Sequence, residues 1–183
     1  MIRVLREQVK AKIMQIPYRH LEKIKINQHQ SKPTRKTVDA ARCLLVLLPE
    51  KPAERDWQQL PHGAALKSRL QRARRSDPDA MQLVTDLPNT TGTHLILQCI
   101  DPADSSFGQL AQARDMAAKV RSTNPSGLIV QLSGLNVNDA RRVTEHVLAG
   151  LMAADCPMPS FKTNPGKPAA LKRIDLFGLK TEF

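Results

Sequence analysis

Six consecutive apolar residues, Cys43–Leu48, stand between polar segments and are closed by Pro49. Such a run has no wet face. It is too short for an ordinary helix, so it reads as a strand covered on both sides. A strand of that kind belongs inside a layered α/β sheet, because only helices on both faces keep it dry. It is also the longest apolar run in the chain, far short of the roughly 18 residues that a membrane-spanning helix needs.

The rest of the pattern agrees with a layered sheet. Residues 80–86, 93–100, Leu128–Leu132 and Ala170–Phe177 read as further strands. Between them, apolar residues recur at spacings of three and four over 64–75, 105–121 and 138–153, which predicts helices. Ser105 and Asn138 are the expected N-caps. The turn at 87–92 predicts a hairpin, so part of the sheet is antiparallel. The expected fold is α/β and three-layer, a mixed, mostly parallel sheet flanked by helices. With 183 residues, the chain has room for one such body and flanking segments.

Those flanks are set apart by composition. Near the start, Ile2, Leu5, Val9, Ile13 and Ile16 form one stripe of an expected basic helix that ends at Pro17. Residues 27–37 are polar and unpatterned and read as a linker. The folded body is therefore expected over 38–155, after a basic arm over 1–37. Residues 156–183 begin as a proline-bearing linker with Pro157, Pro159, Pro165 and Pro168.

Chemistry-bearing motifs are few. No glycine-rich phosphate loop, zinc-protease helix or nucleophile elbow is present. Cys43, Cys99 and Cys156 lie far apart and read as buried apolar residues of a reducing compartment, which points to the cytoplasm. His20, His29, His62, His94 and His146 share no metal-ligand spacing and read as solvated or structurally satisfied. The polar stretch Asn136–Arg142 follows a strand, where an anion could meet helix amides, although Asn138 and Asp139 equally fit a cap and a dipole partner.

Charge is uneven. The net charge is +11, yet residues 1–75 carry 18 Lys and Arg against 6 Asp and Glu, whereas the remainder is nearly neutral. That asymmetry makes DNA a candidate partner through Lys23, Lys25, Lys32, Arg35, Lys36, Arg69, Arg72, Arg74 and Arg75. An alternative is a solvated basic arm. Only 3% of the residues are aromatic, which disfavours a base-stacking surface.

Four stretches together resemble the N-terminal domain of the leucyl aminopeptidase family. They are DLPNTTGTHLILQCID (86–101), SSFGQLAQARDMAAKV (105–120), GLIVQLSGLNVNDARRVTEHVLAGLMAADCPMPSFKTN (127–164) and LKRIDLFG (171–178). The resemblance implies a macrodomain-like fold, with 171–178 starting a bridge toward a catalytic half. It implies a parent two-metal exopeptidase that removes N-terminal amino acids from peptides using zinc or manganese, and assembly as a hexamer. The metal-binding residues of that family match nothing in this chain, so no catalytic or metal role is carried over and no activity is expected for the chain alone. The implied role is accessory, in assembly with a catalytic domain. A DNA-binding accessory protein and a macro-like module binding a nucleotide at the 133–138 loop are the alternatives.

Overall fold

The computed structural model describes residues 24–155 and 171–180. The expected N-terminal helix, Lys23, His20, Cys156 and the proline-bearing stretch lie outside the described residues.

At the centre is β2 (Cys43–Pro49). Its neighbours are β5 (Gly127–Leu132) and β4 (His94–Ile100), both parallel to it, with Leu44 opposite Ile129 on one side and Leu95 on the other. Beyond β4 lies β3 (Gln82–Asp86), antiparallel, and beyond β5 lie β6 (Arg173–Phe177) and β1 (Lys25–His29), both parallel. The sheet order is β1-β6-β5-β2-β4-β3. The mixed, mostly parallel sheet flanked by helices is the fold expected from the sequence.

Alternation along β2 divides the core in two. Cys43, Leu45 and Leu47 face one apolar cluster, and Leu44, Val46 and Leu48 face the other. Over the first cluster lie α4 (Ser106–Ser122) and α5 (Val137–Asp155), which contribute Met116, Val120, Val143, Val147 and Leu151. Three helices cover the second. They are α1 (Arg35–Asp39), α2 (Glu54–Gln58) and α3 (Gly63–Ser76), which bury Val38, Trp57, Leu66 and Leu70.

Several expectations need correction. The folded body does not begin at Val38 or end at 155. β1 and α1 each overlap the stretch read as linker, 27–37, and β6 is an interior strand between β1 and β5 rather than a bridge leading away. β1 is a polar, half-exposed edge strand (KINQH), so it carries no strong alternation. Helices α1 and α2 are five residues each, too short for a 3.6-residue period to show. The N-cap of α5 is Asn136 and not Asn138: Asp139 N–H donates to Asn136 Oδ1 at 2.9 Å, and Ala140 N–H to Asn136 O at 2.8 Å. At α4 the expectation holds, since Ser105 Oγ accepts from Gly108 N–H at 3.0 Å.

Two close approaches hold the α4–α5 layer. Asp155, buried at the end of α5, meets Arg121 Nη1 at 2.6 Å and accepts from Leu171 N–H at 3.3 Å, which ties the entry of β6 to both helices. Further along, a Cβ added at Gly150 would lie 2.8 Å from the carbonyl oxygen of Ala113. Helix propensity favours Ala over Gly by about 1 kcal/mol in an exposed helix. Here the crossing opposes it. Gly150→Ala is therefore expected to lower the urea midpoint, against propensity; a raised midpoint contradicts the close packing of α4 on α5.

Candidate functional site

The helices after β2 pass to one face of the sheet, whereas α5, after β5, lies on the other. Adjacent strands whose connections part in this way leave a crevice at their carboxyl ends, the usual ligand position in an open α/β sheet. A cavity of about 620 Å³ lies there. Residues 131–135 leave β5 into it, Arg55 and Asp56 approach from α2 and Gln59 from its C-cap, and Gln30, Lys32 and Pro33 with residues 178–180 close it from the exits of β1 and β6.

The cavity wall is locked by short-range bonds. Asp56 is buried, and its Oδ2 accepts from Ala53 N–H at 2.8 Å, so the carboxylate closes the first turn of α2. Ser133 Oγ donates to Asp56 O at 2.9 Å. Gly134 follows with φ +77°, and a Cβ there would fall 2.5 Å from Asp56 Cγ. Glycine is required at that point both by the left-handed backbone and by the approach of the carboxylate. Gln131 is buried on β5, and its Nε2 donates to Gln59 O at 3.2 Å. Its Oε1 has no hydrogen-bond partner.

The anion-holding role considered for the start of α5 meets a filled site. Asn136 caps the first turn, Asn136 Nδ2 donates to Asp139 Oδ2 at 2.5 Å, and Asp139 Oδ1 pairs with Arg142 Nη2 at 3.0 Å. The carboxylate already complements the helix dipole.

The nine basic residues named from charge do not form one patch. Lys23 lies outside the described residues. Lys25 is on β1, at the sheet edge opposite β3, across five strand steps or about 24 Å. Arg69 on α3 donates to Thr85 Oγ1 and, at 2.8 Å, to Asp86 O. Arg74 Nε donates to Ala80 O at 3.0 Å, and its Nη2 to Glu50 O at 3.3 Å. These two guanidiniums fasten α3 to the β3 edge. Arg72 and Arg75 are exposed on the same helix, and Arg35 and Lys36 are exposed on α1. Lys32 stands at the cavity mouth with Arg55 and Lys180. Asp56, Gln59, Gln131 and Lys180 were not singled out from sequence; only the glycine loop after β5 signalled this place.

Three histidines, His29, His62 and His94, are engaged by carboxylates, whereas the buried Nδ1 of His146 on α5 has no hydrogen-bond partner among the described residues. His29 Nε2 lies 3.0 Å from Asp175 Oδ1, and its ring stacks on Phe177 at 4.4 Å. His94 Nδ1 meets Asp86 Oδ1 at 2.9 Å across the hairpin. His62, with φ 61°, places Nε2 2.9 Å from Asp39 Oδ1, which also accepts from Asn89 Nδ2 at 3.0 Å. Burial pushes the thiols of Cys43 and Cys99 up to about 11, so neither is a thiolate nucleophile near neutral pH. Among the described residues, no group of three or more His, Cys, Asp or Glu could hold a metal ion. No helix among them is long and apolar enough to cross a membrane.

The fold is a three-layer α/β domain with a mixed, mostly parallel six-stranded sheet. No family model and no curated protein matches the chain. Among solved structures, it is similar to a mutant leucine aminopeptidase from tomato, with TM-score 0.56 and 18% identity over 87% of this chain and 33% of that one. The matched part is the N-terminal region of that aminopeptidase, so the chain spans about a third of its length. It is also similar to the macrodomain of Thermus aquaticus DarG, with TM-score 0.50 and 6% identity over 85% of this chain and 99% of that one. At these identities the likeness is one of fold.

The Asp39 node gives a pH test. Hydrogen bonds from Asn89 and then His62 hold its carboxyl below the usual range. A carboxyl with a lowered folded value stabilises the fold above its unfolded value, and that contribution fades as pH falls through the folded value. Asp39→Asn is therefore expected to lower stability more at pH 7 than at pH 3, measured by urea unfolding. An equal loss at both pH values contradicts an ionised Asp39 as the centre of this node.

Proposed function

We propose that this chain is a non-catalytic accessory domain of a leucyl aminopeptidase-like two-metal exopeptidase, acting in assembly rather than in peptide cleavage. The observation that carries the reading is the fold likeness to the N-terminal region of an aminopeptidase, across most of this chain and a third of that one. The four stretches that resemble the family fall on elements that build this fold: the turn after β3 with β4, α4, β5 with α5, and β6. They supply core residues such as Leu95, Met116, Val130, Val147 and Leu176.

On this reading the partners are a catalytic domain bearing two zinc or manganese ions and further copies of the assembled enzyme, with the cytoplasm as the site of action. The chain's own residues supply a rigid, doubly covered sheet and surfaces for assembly. The two-metal chemistry of peptide cleavage would be supplied by the partner domain.

The test has two arms. The purified chain, given Mn²⁺ or Zn²⁺, is expected to hydrolyse leucine amide no faster than the metal alone. Mixed with a leucyl aminopeptidase catalytic domain lacking its own N-terminal domain, it is expected to co-elute as a stoichiometric complex in gel filtration. Metal-dependent hydrolysis by the chain alone, or failure to associate with that catalytic domain, overturns the proposal.

A further inference from the structure

The cavity at the exits of β5, β6 and β1, beside α2, has two ends that ask for opposite groups. Its inner wall is short of donors. The Gln131 amide is oriented by the bond from its Nε2 to Gln59 O at 3.2 Å, which leaves Oε1 as a buried acceptor with no donor. Buried polar atoms are rarely left in that state unless a bound molecule or water completes them. Asp56, beside it, is 4% exposed, and Oδ2 is taken by Ala53 N–H. Toward Oδ1 the nearest cation is Arg55 Nε at 3.7 Å, too long for a hydrogen bond.

The mouth is short of anions. Lys32 and Lys180 line it, are exposed, and make no ion pair with any described residue. Arg55 is the third cation there, with its side chain 83% exposed. Acceptors inside and cations outside set a charge gradient along the cavity. A volume of about 620 Å³ falls in the range of small-molecule sites, roughly 300–1,000 Å³.

We propose that this cavity binds a small zwitterion, a free α-amino acid, with its ammonium toward Asp56 and Gln131 and its carboxylate toward Lys32, Lys180 and Arg55. The ammonium supplies the donors that the inner wall lacks, and the carboxylate supplies the charge that the mouth lacks. A ligand led by phosphate fits less well. The loop offers Gly134 alone, set against the Asp56 carboxylate, and the first turn of α5 already holds Asp139. This inference does not rest on the proposed assembly role, since it concerns binding by the chain itself.

The full 183-residue chain is titrated by calorimetry with each of the twenty common L-amino acids, then with the amide and the des-amino acid of the tightest binder. At least one amino acid is expected to saturate the chain at a 1:1 ratio. Its amide and des-amino forms, each missing one charge, are expected to bind at least about tenfold more weakly. Lys32→Gln with Lys180→Gln changes two exposed side chains, leaves the thermal midpoint unchanged, and is expected to weaken the amino acid about tenfold while leaving the amide unaffected. Asp56→Asn is expected to weaken both. The proposal is overturned if no amino acid saturates at about 10 mM, if the amide and des-amino forms bind as well as the parent, or if the double variant binds unchanged. Tighter binding of inorganic phosphate or AMP than of any amino acid assigns the cavity to a phosphate ligand and equally overturns it.

Discussion

A strand that has no wet face sets the terms for everything around it. Cys43, Leu44, Leu45, Val46, Leu47 and Leu48 are all at most 1% exposed. Burying a leucine side chain contributes about 1.5–3 kcal/mol, but only if something covers it. The chain must therefore supply helices for both faces of β2. It does so by sending the connection after β2 to one face and placing the helix after β5 on the other. The crevice at the strand ends is a geometric result of that division. Core burial and cavity thus have one cause.

The polar groups divide into two kinds. One kind fastens elements that the apolar core cannot position alone. Asp155 binds Arg121 and the entry of β6, Arg74 clips α3 to the β3 edge, and the Asp39–His62–Asn89 node joins α1, the start of α3 and the hairpin. The other kind is left short of partners: Gln131 at the cavity, beside a half-engaged Asp56, and also Gln109 and Gln112 on α4 and Arg142 and His146 on α5.

The long elements were legible in sequence because their signals are physical and local. Cys43–Leu48 is apolar throughout, and α3, α4 and α5 run long enough for a helical period to stand out. β1 was not legible: its residues Lys25, Asn27, Gln28 and His29 are polar, and what makes them a strand is pairing with β6 almost 150 positions later. The role of β6 depends on the same long-range pairing. The cavity was half visible. Gly134 after a strand marked the loop, but Asp56 lies in a five-residue helix with no period of its own. Charge density alone does not show which cations hold backbone carbonyls, as Arg69 and Arg74 do.

The central structural claim is that the chain closes one six-stranded sheet in which β6 is an interior strand between β1 and β5. Hydrogen exchange of the backbone amides of residues 173–177, followed by NMR on the full chain, tests it most directly. The account predicts that amides of β6 exchange as slowly as those of β5 and open only with the whole domain. Exchange of those amides at the rate of an unstructured peptide, with β2 and β5 still protected, would contradict it.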